Sequence, residues 1–399
     1  MRVAIVGTGL AGLRSAMILE AAGHEVELFE ARDRAGGRIH TARFGFETGA
    51  EWVDEDHERM RSLMRELGVA EVPAPTGDYM LTFHGARCMQ SGAWPDAAQD
   101  VLRFEAMAAT ATSEDGDTVA NLVNAACLSP EGRWLATANV RTDEGDEPKN
   151  LGLAQWLEFR KKYEGREGLE ASAYRIAGGG GAFVKSILST VRSAPHFGSV
   201  LLSVREGSDV ELTFDGFATS ADAVILALPL PCLKMIDIDP PLAVWSDLCK
   251  LGTAPALKAR LTYASPFWEG EGWHGYLKAD HLIQQTWPDS QDGNALVAYI
   301  CGDAARILHQ SDDPQLLLSA ELRRISFTAR PVKIEFENWV ADPYARGAFS
   351  TAAPGSNPEA VRQRVDRKVQ LAGEFCASWM GFMEGALESA EDAARVILS

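Results

Sequence analysis

The sequence predicts an α/β fold, a parallel sheet with helices against it and a dinucleotide crevice, on three observations in its first 30 residues. Residues 3–6 form an apolar run with no polar face, the pattern of a parallel strand buried on both sides. Gly7, Gly9 and Gly12 then form G-x-G-x-x-G where the strand gives way to a helical pattern. Residues 26–29 make a second apolar strand, closed by the acid Glu30. In this arrangement Gly7 permits the tight turn, Gly9 lets backbone N–H groups approach a pyrophosphate, and Gly12 lets helix and strand pack closely. Leu10 and Ala11 open the helix, whose unpaired N–H groups and dipole favour an anion. Glu30 is placed to accept hydrogen bonds from the hydroxyls of a ribose.

Composition narrows the classes further. At 399 residues the chain suggests two domains, or one domain with a large insertion. The net charge of -18 argues against nucleic acid or an anionic membrane as partner and suits cationic substrates as well as simple solubility. No leader pattern precedes the first strand, and no run of about 18 apolar residues occurs. The cysteines, Cys88, Cys127, Cys232, Cys249, Cys301 and Cys376, are scattered without a C-x-x-C pair. Reduced thiols in a cytoplasmic protein without a metal site are the expectation.

The run that follows Glu30 separates FAD from NAD. Glu30-Ala31-Arg32-Asp33-Arg34-Ala35-Gly36-Gly37-Arg38 resembles the E-A-x-x-R-x-G-G-R segment of the flavin-containing amine oxidase family, in which the arginines can face phosphate as forked cations. Thr48-Gly49-Ala50-Glu51-Trp52 is similar to the G-A-x-W segment that the family places beside the flavin. The resemblance implies a glutathione-reductase-like, Rossmann-type FAD-binding domain, with Ala31, Arg32, Gly37, Arg38, Gly49, Ala50, Glu51 and Trp52 among its cofactor contacts.

The remaining elements follow in order. Residues 57–67 carry apolar positions at helical spacing and stop at Gly68. Residues 80–170 are irregular, with an acidic loop at 113–117 and a polar loop at 141–149. Tyr174 to Gly179 resembles the family's glycine pair before a helix, expected over 183–191. Residues 200–204 and 210–214 read as a hairpin, in which Val204 occupies the family's backbone contact to adenine. Residues 221–229 match A-D-x-V-I-x-A-x-P, a buried strand ending at proline. Strand-like runs at 256–263, 295–300 and 332–339 suggest a mainly antiparallel sheet. The expected partition is an FAD-binding domain of 1–75, 172–236 and 340–399, with an α+β substrate domain of 76–171 and 237–339 inserted into it.

The resemblance also assigns the chemistry. Lys258, ten residues before Trp268, falls where the amine oxidases have a lysine that holds a water against flavin N5. Residues 339–349 resemble W-x-x-x-P-Y-x-x-G-x-Y, which makes Trp339 a cofactor contact and Phe349 one wall of an aromatic cage. Ala348 stands where the mitochondrial monoamine oxidases carry a flavin-linked cysteine, so FAD is expected to be noncovalent. Residues 373–386 resemble the family's second signature. Gly373, Glu374 and Gly381 are implied near the cofactor, Phe382 as the second cage ring, and Met383 as the start of a helix whose dipole favours an anionic reduced flavin. Phe349, Phe382, Trp52 and Lys258 are thus the expected catalytic residues, with Trp379 as further wall. The implied reaction is oxidative deamination of an amine, with O₂ reduced to hydrogen peroxide. Rival readings are an L-amino-acid oxidase, whose G-A-x-R carboxylate clamp Trp52 does not supply, a desaturase or protoporphyrinogen-oxidase-like enzyme, and a non-catalytic flavoprotein.

Overall fold

The computed structural model describes residues 1–399 apart from 75–79, 86, 91–93, 115, 163–170, 270–272, 325–329 and 364–367. Arg2–Val6 lies at the centre of a five-stranded sheet. It pairs in parallel with Glu25–Glu30 on one side and Ala223–Leu226 on the other. Pro195–Phe197 and Val369–Leu371 extend the two edges, also in parallel. Val3, Ala4 and Ile5 are fully buried because both faces of this sheet are covered. Helices Leu10–Ala21 and Met383–Leu398 pack on one face with Gly179–Leu188. A four-stranded sheet containing the hairpin Leu201–Glu206 and Val210–Phe214 packs on the other.

A seven-stranded sheet forms the second layer, with neighbours antiparallel except Leu277–Ala279 beside Leu81–His84. Its strand Ala256–Thr262, next to the edge, is flanked by Lys333–Asn338 and Ala295–Cys301. Strand alternation sorts the side chains. Leu257, Ala259 and Leu261 join a core with Trp268 and Trp273 under helices Gly302–Gln310 and Pro314–Arg324. Lys258, Tyr299 and Gln285, in register across three strands, face the other way.

Residues 80–160 are more regular than their sequence suggests. Pro130–Glu144 is a 15-residue helix with Ser129 as N-cap and Gly145 (φ 71°) as left-handed stop, so the loop expected from residue 141 begins only after 144. It packs on Pro95–Thr110 and Leu153–Arg160 around Phe104, Val140 and Trp156. The helix expected over 183–191 starts earlier, at Gly179. Among the described residues no helix is long and apolar enough to cross a membrane.

Candidate active site

One cavity of about 1510 Å³ runs between the two sheets, larger than the few hundred to 1,000 Å³ of a usual small-ligand site. At one end the chain turns from strand to helix at Gly7 (φ 102°). Gly9 has open space where a Cβ would stand, and the helix it caps has no side chain on its first N–H groups. Gly7, Gly9, Leu10 and Ala11 all line the cavity, a cradle of the kind a pyrophosphate requires. Gly12 does not line it. A Cβ there would sit 1.9 Å from the Gly7 carbonyl oxygen, so this glycine serves helix–strand contact alone.

Glu30 lines the cavity from the end of the second strand. Its Oε2 accepts from the Thr8 N–H and hydroxyl at 2.9 and 2.8 Å, and its Oε1 from the Arg32 N–H at 3.0 Å. Oε2 thus has both lone-pair directions engaged, while Oε1 keeps one, so the carboxylate retains capacity for a ribose hydroxyl. Ala31, Arg32, Gly37 and Arg38 continue the wall. The arginines are more committed than the resemblance implies. Arg32 forks onto Asp342 with two 2.7 Å bonds, and Arg34, off the lining, donates to the Gly37 carbonyl at 3.0 Å. Arg38 bridges Glu374 (2.8 Å) and the Ala348 carbonyl (2.9 Å). Glu374 in turn accepts from the Ser350 hydroxyl and the Gly381 N–H. It clamps three loops of the wall from a buried position instead of standing free.

Val204 is a correction. It is fully buried, paired with Leu212 in a hydrophobic core, because alternation turns it away from the crevice. The cavity is reached instead by Ser199, Val200, Leu201 and Leu202, at the start of that strand beside Glu30.

At the other end of the cavity Phe349 opens a short strand, its register partner Ala254. Glycines crowd its ring: a Cβ on Gly145 would lie 2.5 Å from Cζ, and one on Gly381 would lie 3.3 Å from Cδ2. Phe382 caps the helix Met383–Leu398, which has no side-chain cap and begins on the cavity. The Phe382 ring packs against Phe159, His57 and Trp379. Trp379, expected as wall, is not on the lining and stands in that cluster beside Phe382. Gly49, Ala50, Glu51, Trp52, Trp339 and Gly373 line the cavity as well. The Trp339 indole donates to the Thr48 carbonyl at 2.7 Å.

Lys258 lines the cavity with its ammonium held by protein oxygens. Its ammonium donates to Glu51 Oε2 at 2.6 Å and to the carbonyls of Gly49 and Glu47 at 2.8 and 3.2 Å, which accounts for all three N–H groups. Glu51, expected at the cofactor, is therefore first an ion-pair partner.

Sequence reading missed the acidic wall contributed by Pro130–Glu144. Asp143 and Glu144, at the C-terminal end of that helix, line the cavity together with Asn139 and Thr142. Burial, then the charge of Asp143, push the Glu144 carboxyl up to about 7, against the pull of Arg160 and the Trp156 indole. Asp143, exposed to the open cavity but walled by protein, is raised by lost hydration and then by Glu105, while Lys278 and Arg160 pull it down. Two carboxylates at the negative end of a helix are unfavourable locally. That is the signal the sequence offered, two adjacent acids before a stop glycine. Arg160, on the same wall, is bound to Glu105 and stacked over Trp156 at 4.7 Å. Elsewhere, Asp54, Asp56 and His57 bring potential ligand atoms within 4.8 Å of one another, but Asp54 Oδ1 accepts from the Ser172 N–H at 2.7 Å and its own N–H donates to His57 Nδ1.

A family model for flavin-containing amine oxidoreductases matches residues 10–398. The chain belongs to that family. Human amine oxidase [flavin-containing] B is 25% identical over 99% of this chain and 86% of its own length. An L-amino-acid oxidase from Siganus canaliculatus is 24% identical over 99% of this chain and 85% of its own. Among solved structures, cyclohexylamine oxidase from Brevibacterium oxydans superposes with a TM-score of 0.85 at 21% identity, covering 99% and 98% of the two chains. A putrescine oxidase bound to putrescine does so with a TM-score of 0.85 at 20% identity, covering 100% and 99%. The fold expectation, an FAD-binding Rossmann-type α/β architecture, agrees with these neighbours. As a flavin-containing amine oxidoreductase, the chain holds FAD, and the uncapped helix ends at Gly9 and Phe382 fit that cofactor's two anionic regions.

Proposed function

We propose that this chain oxidatively deaminates an amine with an apolar or aromatic body, with O₂ as electron acceptor, and that it discriminates against zwitterionic amino acids. The relatives' names span both substrate classes, so the choice rests on the cavity. The observation that carries it is the acidic wall of Asp143 and Glu144 in the same cavity as Phe349 and Phe382. On this reading residues 1–75, 172–236 and 340–399 bind FAD, and residues 76–171 and 237–339 shape the substrate space.

FAD supplies the acceptor for a hydride equivalent from the carbon bearing the amine. Phe349 and Phe382 orient the amine group by ring contact and supply no hydroxyls. The helix that starts at Met383 favours negative charge at its end of the cavity. Asp143 and Glu144 favour an ammonium, including a second one on the same substrate, and repel a carboxylate. A substrate carboxylate buried without a partner would cost several kcal/mol, so amines should be preferred by about a hundredfold or more. The scattered cysteines and the charge balance support a cytoplasmic setting without nucleic-acid partners.

The test is the rate of anaerobic flavin bleaching with an arylalkylamine, an α,ω-diamine and the matching L-amino acid. The amines should be faster. A faster amino acid would overturn the reading, and would point to Arg160, released from Glu105, as carboxylate clamp.

A further inference from the structure

Glu51 is 4% exposed and borders the cavity. Its Oε2 takes the Lys258 ammonium at 2.6 Å, and its Oε1 accepts from the Trp287 indole N–H at 3.0 Å. Arg175 Nε stands 3.5 Å from the same Oε1, and its guanidinium lies over the Trp52 ring at 4.3 Å. Arg175 is not on the lining, whereas Lys258 and Glu51 both are. Glu47 is buried, and its carboxyl is pushed up to about 7 by burial and then by the charge of Glu51. Through its carbonyl it also accepts from Lys258. The lysine at the cavity is thus paired, across the cavity wall, with a carboxylate from the segment that leads into the strand Trp52–Val53.

We propose that Glu51 is a positioning residue that acts through Lys258: it fixes the direction of the ammonium and offsets its charge, so the pair sets the electrostatic field in which the flavin is reduced. This rests on FAD occupying the cavity and is independent of which amine is oxidised. An ammonium held on three protein oxygens acts on the cavity through its charge. Removing Glu51 leaves a net positive change at the cavity, removing Lys258 leaves a net negative one, and removing both restores the balance. Reduction or anion addition places negative charge on the flavin, so its equilibrium reports that field.

The experiment measures the two-electron potential of bound FAD and its affinity for sulfite in four holoproteins: wild type, Glu51→Gln, Lys258→Met and the double variant. One unit charge acting at on the order of 10 Å through an effective dielectric of about 20 changes an equilibrium roughly tenfold, which is about 30 mV for a two-electron couple. Glu51→Gln should raise the potential and tighten sulfite by about that factor. Lys258→Met should lower both, and the double variant should return near the wild type. A merely structural brace would make the double variant the most damaged of the four. If Glu51→Gln does not retain FAD, the pair Lys258→Met and double variant still decides, since the second substitution must recover potential lost in the first. Shifts of the same sign in both single variants, shifts below twofold, or a double variant further from wild type than either single one would overturn the proposal.

Discussion

Gly145→Ala tests whether the ring of Phe349 must stay where the structure holds it. Gly145 ends the helix Pro130–Glu144 with φ 71°, a conformation unfavourable for alanine by ~1–2 kcal/mol. Its added Cβ would stand 2.5 Å from Phe349 Cζ and 2.8 Å from Ala254 Cβ. Ala254 is fully buried in strand pairing with Phe349, so the ring is the part free to give. Reaching the 3.4 Å at which ordinary contact begins moves it by 0.9 Å. Overpacking of this kind costs ~1–3 kcal/mol, for a total loss of about 2–5 kcal/mol. A displacement near 1 Å in an orienting group costs about a hundredfold in rate. Gly68→Ala is the control, with φ 67° and open space at the Cβ position, so it carries the backbone cost alone. The assay is stopped-flow flavin reduction under anaerobic conditions, beside urea unfolding and the FAD-to-protein ratio of both variants. Gly145→Ala should reduce its flavin about a hundredfold more slowly with FAD content intact, and Gly68→Ala at the wild-type rate. If Gly145→Ala reduces its flavin at the wild-type rate and loses no more stability than Gly68→Ala, the ring has room the structure denies it, and the orienting role of Phe349 is refuted.

Acid precipitation should release all the yellow chromophore, because Ala348 offers no thiol; colour in the pellet would contradict noncovalent binding. Gly12→Val should yield protein with little FAD by absorbance at the flavin band, since a Cβ at 1.9 Å from the Gly7 carbonyl forces the phosphate turn apart. Glu47, 4% exposed, has its carboxyl raised from 4.5 to about 7. The folded state therefore binds more protons than the unfolded one between these values, so this group's contribution is fully present below pH 4.5 and lost as pH rises to 7, by ~3 kcal/mol at most. Urea midpoints across that window should fall less steeply in Glu47→Gln; an unchanged slope refutes the assignment. Glu144 ionises near 7, so affinity for a diamine should rise with pH through that value, and the inflection should vanish in Glu144→Gln.

The division between what was legible in the chain and what was not follows the range of the interactions. Strand 2–6, the glycine turn, the acid at Glu30 and the helix after Phe382 were readable because each depends on neighbours in sequence: apolar alternation, backbone freedom at Gly7, an uncapped helix start. The central antiparallel strands were readable for the same reason. The row Lys258, Tyr299 and Gln285 was not, since only strand register sets it across the sheet. Side-chain commitments were also illegible. Arg32 on Asp342, Arg38 on Glu374 and Lys258 on Glu51 join residues more than 200 positions apart, and a motif states which residue stands at a position, not which partner takes its hydrogen bonds. Val204 shows the same limit at short range, where a shift of a few residues along one strand moved the cavity wall to Ser199–Leu202. The acidic wall was hidden because its two carboxylates read as solvated polar sequence. Only the fold sets the end of their helix on the cavity, next to Gly145 and the Phe349 ring, where lost hydration raises both carboxyls even though Asp143 stays exposed to the open space. The sequence by itself determined the parallel core, the cofactor cradle and the family, all written in local pattern; the tertiary structure alone decided which charges meet in the cavity, because electrostatic partners are chosen by distance in space and burial, and neither is encoded in spacing along the chain.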